Sequence, residues 1–233
     1  MAFIHGKNTA VLIDEFDVSA FFNSADVAAT TETAETTTFG NSAKTYIAGL
    51  RDATLSLGGM FDGSANAVDD VLAAALGGSA IFSVMPQGAG AIGNVAKLAD
   101  AFATSYSVAA TVADAVQVSA EAQVTGGLLP GFVVADLAAR TGAGQTAALD
   151  NGASTANGAK AFLHLTAFSG TDITVKIQES ADNLAWADMI TFTLASGVTS
   201  ESQTAAGTID RYLRVDISGT FSSATFAVTL ARL

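Results

Sequence analysis

The side chains that could do acid–base chemistry are carboxylates and two histidines, and they form no complete catalytic set. Acidic residues cluster at 14–17 and again at Glu32 and Glu35, and paired carboxylates are what glycoside hydrolysis requires. One Trp and three Tyr are few for a sugar-stacking cleft. His5 and His164 have no matched nucleophile or ligand cluster. We therefore expect the acids to lie on a solvated face and the protein not to be an enzyme.

Two short stretches resemble ligand-binding loops but lack what such loops need. Oxygen-bearing side chains over residues 62–70 have calcium-loop spacing, but Ala67 replaces the required Gly and Ala73 replaces the bidentate Glu. Residues 88–93 spell G-x-G-x-x-G outside the strand-to-helix setting of a nucleotide site. The chain has no Cys, which removes disulfides and thiolate metal sites. We expect no metal and no cofactor.

The composition excludes several classes of protein. Only 14% of the 233 residues are charged and 50% are hydrophobic, so the chain can bury a core and is not disordered. The net charge of −12 argues against gripping nucleic acid or an anionic membrane. The longest uncharged stretch, residues 71–96, contains several Gly and Pro86 and cannot be one spanning helix. We expect no signal peptide, no membrane insertion and synthesis in the cytoplasm.

Period-two alternation of apolar and polar residues in short segments predicts a mainly β protein. The alternation is clearest over residues 112–124, where Val and Ala at the even positions from 116 to 124 predict a side that faces the core. The opposite side carries Gln117, Ser119, Glu121 and Gln123. We expect these four side chains to be exposed.

One amphipathic helix is predicted between Ser64, its expected N-cap, and Gly77–Gly78, which should end it. Its apolar face consists of Val68, Val71, Leu72, Ala75 and Leu76. This helix should flank the sheet of the first half.

A change to small residues over 141–158 predicts a linker between two domains, residues 1–140 and residues 159–233. The first domain carries 14 acidic and 5 basic side chains, a net charge of −9. In the second, short alternating strands at regular spacing predict an all-β sandwich, either Ig-like or jelly-roll-like.

Three side chains of the second half are candidates for a binding surface. Trp186 follows a predicted hairpin turn, and a lone Trp in a small sandwich is more often its core anchor than a sugar platform. Arg211 and Arg214 flank an apolar pair on one strand, where their stems can cover apolar surface or their charges can bind an acidic neighbour.

The segment 30–50 of the first half combines a polar context with large apolar residues. Residues 24–39 are Thr-rich and could form an extended hairpin arm, and residues 39–50 are predicted to be a loop. The large apolar side chains are Phe39, Tyr46, Ile47 and Leu50. Such residues suit a partner's pocket.

Several segments share their order and spacing with a known family. In the first half they are residues 11–14 (VLID), 17–22 (DVSAFF), 33–40 (TAETTTFG), 42–52 (SAKTYIAGLRD) and 57–63 (LGGMFDG). Through them the chain resembles the major tail tube proteins (major tail proteins) of long-tailed double-stranded DNA phages. The second half resembles the C-terminal β-sandwich appended to many such proteins, at residues 150–154 (DNGAS), 180–186 (SADNLAW) and 211–215 (RYLRV).

The resemblance implies a tail-tube-type β-sandwich or barrel with one flanking α-helix, six copies of which close into a ring. Stacked rings form the tube of the virion tail, which is assembled in the host cytoplasm and conducts DNA during ejection. The implied partners are further copies of the chain, the tape measure, tail terminator and baseplate or initiator proteins, and duplex DNA that passes without specific binding.

By position, residues 30–50 match the family's loop that bridges neighbouring rings. The ring-stacking candidates are Glu35, Phe39, Lys44, Tyr46, Ile47 and Leu50. A DNA conduit should be lined by acidic and amide side chains, because basic ones would trap the genome. The lumen candidates are Gln117, Ser119, Glu121, Gln123, Glu32 and Asp114. The alternative is a β-rich surface or adhesion protein that binds host glycans through its C-terminal sandwich.

Overall fold

The computed structural model describes residues 3–233 and is mainly β, as predicted, with 62% strand and 5% helix. The first half contains a 3-10 turn (Gly6–Asn8), β1 (Ala10–Ile13), β2 (Phe16–Asp17), β3 (Phe22–Glu35), β4 (Tyr46–Met60), α1 (Val68–Ala75), β5 (Ser79–Met85), β6 (Val95–Ala109) and β7 (Gln117–Arg140). The second half contains β8 (Gly144–Gln145), β9 (Leu149–Asp150), β10 (Ala159–Ser180), β11 (Ala187–Thr191), β12 (Thr199–Ala205) and β13 (Tyr212–Arg232). None of the helical residues described forms a segment long and apolar enough to cross a membrane.

The strands form one hydrogen-bonded network of antiparallel pairs in the order β11-β10-β13-β7-β6-β5-β1-β2. On the first half, β4 also pairs with β7, and β3 lies outside β4. On the second half, β12 pairs with β10, while β8 and β9 pair with β13. The network therefore passes from one half of the molecule to the other through β7 and β13.

Strand β7 continues without interruption through Gly126–Gly127. Both glycines adopt a positive φ, 76° and 92°, which costs little without a Cβ. The pairing with β6 shifts there, since Leu98 faces Leu129 but Asp100 faces Thr125. The glycines thus form a bulge that redirects the strand instead of ending it.

The second half also has fewer and longer strands than the alternation predicted. In place of several short strands, residues 159–180 form the single strand β10 and residues 212–232 form the single strand β13. Register shifts around Gly170 let the paired strands bend without breaking. Gly170 is suited to this position, because a Cβ there would lie 2.4 Å from the Phe221 Cα.

The interior contains three packed clusters. The first core lies between α1 and the strands of the first half, and the second core lies within the strands of the second half. A middle core joins them, in which Leu12, Leu98 and Val133 pack with Phe162 and Ala227, all fully buried. The molecule is therefore layered, with the middle core between its two halves.

Strands β1 and β5 form the layer shared by two of these cores. Val11 and Val84 face the first core, while their neighbours Leu12 and Met85 face the middle core. A strand buried on both faces needs apolar residues at nearly every position. This explains why the sequence of β1 is apolar throughout.

Helix α1 covers the first core with the predicted face. Its buried residues are Val68, Val71, Leu72 and Ala75. Leu76 was also predicted for this face but lies past the end of the helix and is half exposed, and the N-cap is Ala67 in place of the predicted Ser64. The Tyr106 hydroxyl of β6 donates a hydrogen bond to Asp69, which holds the helix on the sheet. Burial and this bond raise the pKa of Tyr106 to about 12.

One buried polar cluster ties the two halves together. His164 of β10 is fully buried, with its Nε2 2.7 Å from Ser83 Oγ and its Nδ1 2.5 Å from the Asp14 carbonyl oxygen. A carbonyl only accepts, so Nδ1 carries the proton and the Ser83 hydroxyl donates to Nε2. Thr229 Oγ1 lies 3.2 Å from Ser83 Oγ and completes the chain of bonds. Because Ser83 and His164 are both fully buried, this pair cannot meet a substrate.

The predicted linker, residues 141–158, is packed against the second half. It contributes β8 and β9, which pair with β13. Across the predicted boundary, β7 pairs with β13 through residues 132–140, and Lys160 forms an ion pair with Asp100. The division of the chain into two domains stays a prediction.

We expect His164 to make the free energy of unfolding fall in acid. Burial lowers the pKa of His164 to about 4, against a smaller opposite effect of the bond to the Asp14 carbonyl. The unfolded chain takes up this proton first, at a pKa of about 6.5. Stability is therefore lost as the pH falls from about 6.5 to about 4, by about 3 kcal/mol in full.

Urea unfolding at pH 7 and pH 4.5 of the wild type, His164→Gln and His5→Gln checks this expectation. His5 is exposed, so the free energy of unfolding of His5→Gln should fall in acid as much as that of the wild type. His164→Gln should be less stable at pH 7, and its free energy of unfolding should fall less in acid because the buried histidine is absent. Burial raises the pKa of the Asp14 carboxyl, which adds stability as the pH falls, and this contribution is common to all three proteins. An equal acid loss in wild type and His164→Gln contradicts the expectation.

Candidate functional site

The most extended candidate surface is one face of four neighbouring strands in the order β3, β4, β7, β6, here called the polar face. It consists of even-numbered residues 26–30 and 52–60 and odd-numbered residues 105–109 and 117–123. On β7 the predicted alternation is present. Gln117, Ser119 and Glu121 are exposed and Gln123 is half-buried, while Val118, Ala120, Ala122 and Val124 are buried in the first core.

Strand register sets the polar residues side by side in rows. One row consists of Asp26, Ser56, Glu121 and Ser105. Within it, the Ser56 hydroxyl donates to Glu121 Oε2 at 2.5 Å. In the next row, Gln123 Nε2 donates to Asp52 Oδ1 at 2.5 Å. These bonds between strands hold the side chains in a fixed arrangement on the sheet.

The polar face is negatively charged. Asp26, Asp52 and Glu121 are its carboxylates, and none of its residues is Lys or Arg. Glu121 was predicted from the sequence to lie on this face, whereas Asp26 and Asp52 were not. Part of the sequence signal for these acids was present, because Asp52, Thr54 and Ser56 alternate with the buried residues of β4. The pairing of β4 with β7, however, cannot be predicted from the sequence of either strand alone.

Two other lumen candidates lie off the polar face. Glu32 is exposed on β3 within the bulge between Thr31 and Thr33, where β3 pairs only with β4. Asp114 lies in the loop between β6 and β7, where it accepts a hydrogen bond from the Thr111 hydroxyl at 3.3 Å. Neither position shares a row with Glu121, and a role for either in lining a lumen stays a prediction.

Both outer strands of the polar face have a free edge. β3 pairs only with β4, and β6 from Ser105 to Ala109 pairs only with β7. The outward N–H and C=O groups of such strands are a template for pairing with another strand. The two free edges lie on opposite sides of the sheet, so one copy can offer β3 where another offers β6.

The distal half of the β3–β4 hairpin, residues 28–52, is exposed at every position and is here called the arm. The sequence predicted a loop through Leu50, which is wrong in its second half. Strand β4 already begins at Tyr46, which pairs with Glu35 at the end of β3. Four of the six ring-stacking candidates therefore lie on strands, because the ladder of β3 and β4 continues well beyond the core.

The turn at the tip of the arm, residues 36–45, carries the other two candidates, Phe39 and Lys44. A backbone hydrogen bond of 2.8 Å closes the turn. Lys44 Nζ lies 3.1 Å from Glu35 Oε2, an exposed ion pair of little energetic weight. Hydrogen bonds from the Thr and Asn side chains of the turn also hold it.

The arm exposes large apolar side chains without packing on the rest of the chain. They are Phe39, Tyr46, Ile47 and Leu50. A two-stranded hairpin alone in water is at best marginally stable. Contiguous exposed apolar residues on such a ribbon are typical of a surface that a partner covers.

The candidates of the second half belong to a polar surface. Trp186, favoured as a core anchor, is only half-buried, because phenylalanines fill that core. The Arg214 guanidinium covers the Trp186 ring at 4.2 Å and donates to Gln178 Oε1 at 2.9 Å. Arg211 makes two bonds to Asp150, of 2.6 and 2.7 Å, which lower the pKa of Asp150 to about 2. All three residues thus have partners within the chain.

Residues 3–233 contain no group of three or more His, Asp or Glu side chains placed to hold a metal ion. The calcium-like spacing at 62–70 instead stabilises a turn before α1. Asp62 Oδ1 accepts from the Ser64 amide at 2.8 Å, and Asp70 Oδ2 accepts from the Asn66 amide at 3.1 Å.

No family model and no curated protein matches the chain. Among solved structures, a chain of the native gene transfer agent virion is similar over 54% of this chain and 97% of its own, with 17% identity and a TM-score of 0.44. A chain of the anti-feeding prophage cap, a tube-terminating cap, is similar over 53% and 88%, with 16% identity and a TM-score of 0.39. The SPP1 Dit protein is similar over 96% and 98%, with 10% identity and a TM-score of 0.34. Because these TM-scores are low, the proposals below rest on the residues of this chain.

Replacing a large apolar side chain of the arm should leave the stability of the monomer unchanged, because these side chains are exposed to solvent. Ile47 is 59% exposed, whereas Leu55 on the same strand is 1% exposed. We expect Ile47→Ala to change the free energy of unfolding by less than about 0.5 kcal/mol. The matched control Leu55→Ala should lower it by about 2–5 kcal/mol. Urea unfolding of dilute protein measures both, and losses of equal size would contradict the placement of the arm.

Proposed function

We propose that the protein is a structural protein that assembles with copies of itself into stacked rings, the tube of a phage tail. The observation that carries the proposal is the polar face, an acidic sheet surface bounded by two free strand edges and backed by a packed core. The sequence segments shared with major tail tube proteins point to the same function.

Identical copies can join edge to edge, β3 of one to β6 of the next, and form a ring when the rotation closes. The number of copies, six, comes from the resemblance to the tail tube proteins. Four strands from each copy, about 4.8 Å apart and tilted about 40°, give a barrel about 48 Å across. Side chains leave an opening of about 35–40 Å, which admits a DNA duplex.

In such a ring the polar face lines the opening. Asp26, Asp52 and Glu121 repel phosphates, and the Ser, Thr and Gln side chains between them add no positive charge. Lys or Arg at these positions would neutralise phosphates and retain DNA in a salt-dependent way. The face therefore suits a conduit through which DNA slides without binding.

The layers of the fold support a position of the second half on the outside of the proposed tube. The first core lies behind the polar face, β1 and β5 lie behind the first core, and the middle core and second half follow. The second half therefore lies on the outside of the tube. The arm bridges one ring to the next, and tape measure, terminator and baseplate proteins are the further partners of the assembled tail in the virion.

Electron microscopy of the purified protein in negative stain tests the proposal. At high concentration we expect rings or hollow tubes with an opening of about 35–40 Å. The same sample when dilute should show fewer of them, because assembly depends on concentration. Particles without an opening, or a chain that remains monomeric at every concentration, contradict the proposal.

Reversal of charge on the polar face should make assembled tubes retain DNA. Glu121→Lys puts a cation on every copy inside the opening, so labelled short duplexes should bind at low salt and be released as salt rises. The control Asp188→Lys makes the same change on the second half, at a side chain outside the tube, and should retain less DNA at the same salt. Retention by the control equal to that of Glu121→Lys argues against an acidic lumen.

A further inference from the structure

The loop that joins β6 to β7, residues 110–116, extends from the free edge of β6. It follows directly on Ser105–Ala109, the stretch of β6 that pairs only with β7. Residues 110–115 are all exposed, and Val112 is fully exposed. A strand of another copy that pairs with this free edge therefore has the loop beside it.

A groove of about 660 Å³ lies at the start of β3, where this strand pairs only with β4. It is lined by the N-terminal turn, including Lys7, and by residues 22–26 of β3. Val11 also lines the groove and is only 2% exposed, and Phe22 and Ala25 are half-buried. The groove therefore has an apolar part that can cover an apolar side chain of an occupant.

Strand directions decide which end of β6 meets the start of β3. The pairs β3–β4, β4–β7 and β7–β6 are all antiparallel, so β3 and β6 run in opposite directions. Rotation about the axis of a ring preserves the direction of each strand along that axis. In the proposed ring, β6 of one copy is therefore antiparallel to β3 of the next. The end of β6 that carries the loop then lies at the start of β3, where the groove is.

The tilt of the strands determines the register of this joint. Four strands about 4.8 Å apart and tilted about 40° displace each copy along its neighbour by about 16 Å, or about five residues. Within one copy, Ser105 shares a row with Asp26. Displacement toward the arm pairs residues 105–109 with partners inside residues 26–32 of the next β3, whereas the opposite displacement leaves nearly all of them past its start. The first register satisfies the whole free edge and lays the loop beside residues 22–26.

The side chains of the loop fit the groove in this register. Val112 reaches the apolar part of the groove, which includes Val11. The charges of the groove, Lys7 and Asp26, offset each other, so the groove does not repel Asp114, the single charged residue of the loop. Lys7 is in none of the ion pairs of residues 3–233 and can pair with Asp114. Such a pair adds direction more than binding energy.

We infer that residues 110–116 of one copy seat in the groove at the start of β3 of the neighbouring copy in the same ring, an inference that rests on the proposed ring. Backbone pairing of two strand edges tolerates a slip of two residues, because such a slip keeps every side chain on its face. The loop fits the groove in one register only. The contact therefore fixes the register of each joint, and equal joints let the ring close.

Disulfide trapping tests the contact, because the chain has no Cys of its own. A chain with both Ser24→Cys and Val112→Cys is assembled at high concentration and oxidised. Within one copy the two positions are two to three strand spacings apart, about 10–14 Å, which exceeds the reach of a disulfide. We expect a non-reducing gel to show linked chains of increasing size up to the closed ring. The control chain with Ser24→Cys and Leu184→Cys, an exposed position on the second half, should remain mainly unlinked.

A change in the loop provides an independent test. Val112→Asp removes the apolar contact and places a carboxylate near Asp26, so the concentration at which rings form should rise about tenfold or more. Leu184→Asp makes a similar change on the second half and should form rings at the wild-type concentration. Both residues are exposed, so neither change disturbs a core. Sedimentation velocity and electron microscopy over a range of concentrations measure ring formation.

The outcomes separate this inference from the proposed function. Wild-type rings without selective linkage of Ser24→Cys to Val112→Cys, or Val112→Asp rings at the wild-type concentration, overturn the inference and leave the ring standing. A wild-type protein that remains monomeric at every concentration, with no linkage in the double variant, overturns both. Selective linkage, together with the loss of rings in Val112→Asp at the wild-type concentration, supports both.

Discussion

The change of direction of β7 at Gly126–Gly127 is the constraint on which the rest of the structure depends. Before it, β7 is one of the two inner strands of the polar face, and after it the same strand supplies Val133 to the middle core and Val134 to the second core. Two successive residues at positive φ would cost roughly 1–2 kcal/mol each with a side chain. Glycine removes that cost, so the ladder of hydrogen bonds passes through the bend and the two halves share one sheet.

The small side chains of the sequence make the layered packing possible. Hydrophobic residues are 50% of the chain but aromatics only 8%, and Ala occupies many buried positions in all three cores. Strands and layers can then approach closely. At Gly131, for example, a Cβ would lie 2.6 Å from the Leu230 carbonyl oxygen of the paired strand. Larger core side chains would push the layers apart, and β1 and β5 could then not pack against both the first core and the middle core.

Local periodicity predicted the features that depend on one strand or one helix. It failed for features that depend on how a strand pairs with a second strand. The outer residues of β7 and the inner face of α1 follow from alternation and helical spacing alone. Asp26 and Asp52 were missed because they join Glu121 through register, which is non-local. The length of β10 and β13 was not predicted, because a bulge such as the one at Gly170 and a turn look alike until the partner strand is known. Trp186 was predicted to lie in the core because a lone Trp in a small sandwich is usually buried. In the structure, phenylalanines lie in the core of the second half instead.

The free edges are the strongest physical argument that the single chain is an incomplete unit. Soluble proteins usually blunt an edge strand with Lys, Pro, a short length or a covering loop. β3 has 14 residues, contains no Lys or Pro, and lies uncovered beside β4. The net charge of −12 keeps copies apart in solution but does not block a strand that approaches in register. In the proposed ring, β6 of the next copy closes this edge, and the polar face between the two edges becomes the inside of the ring.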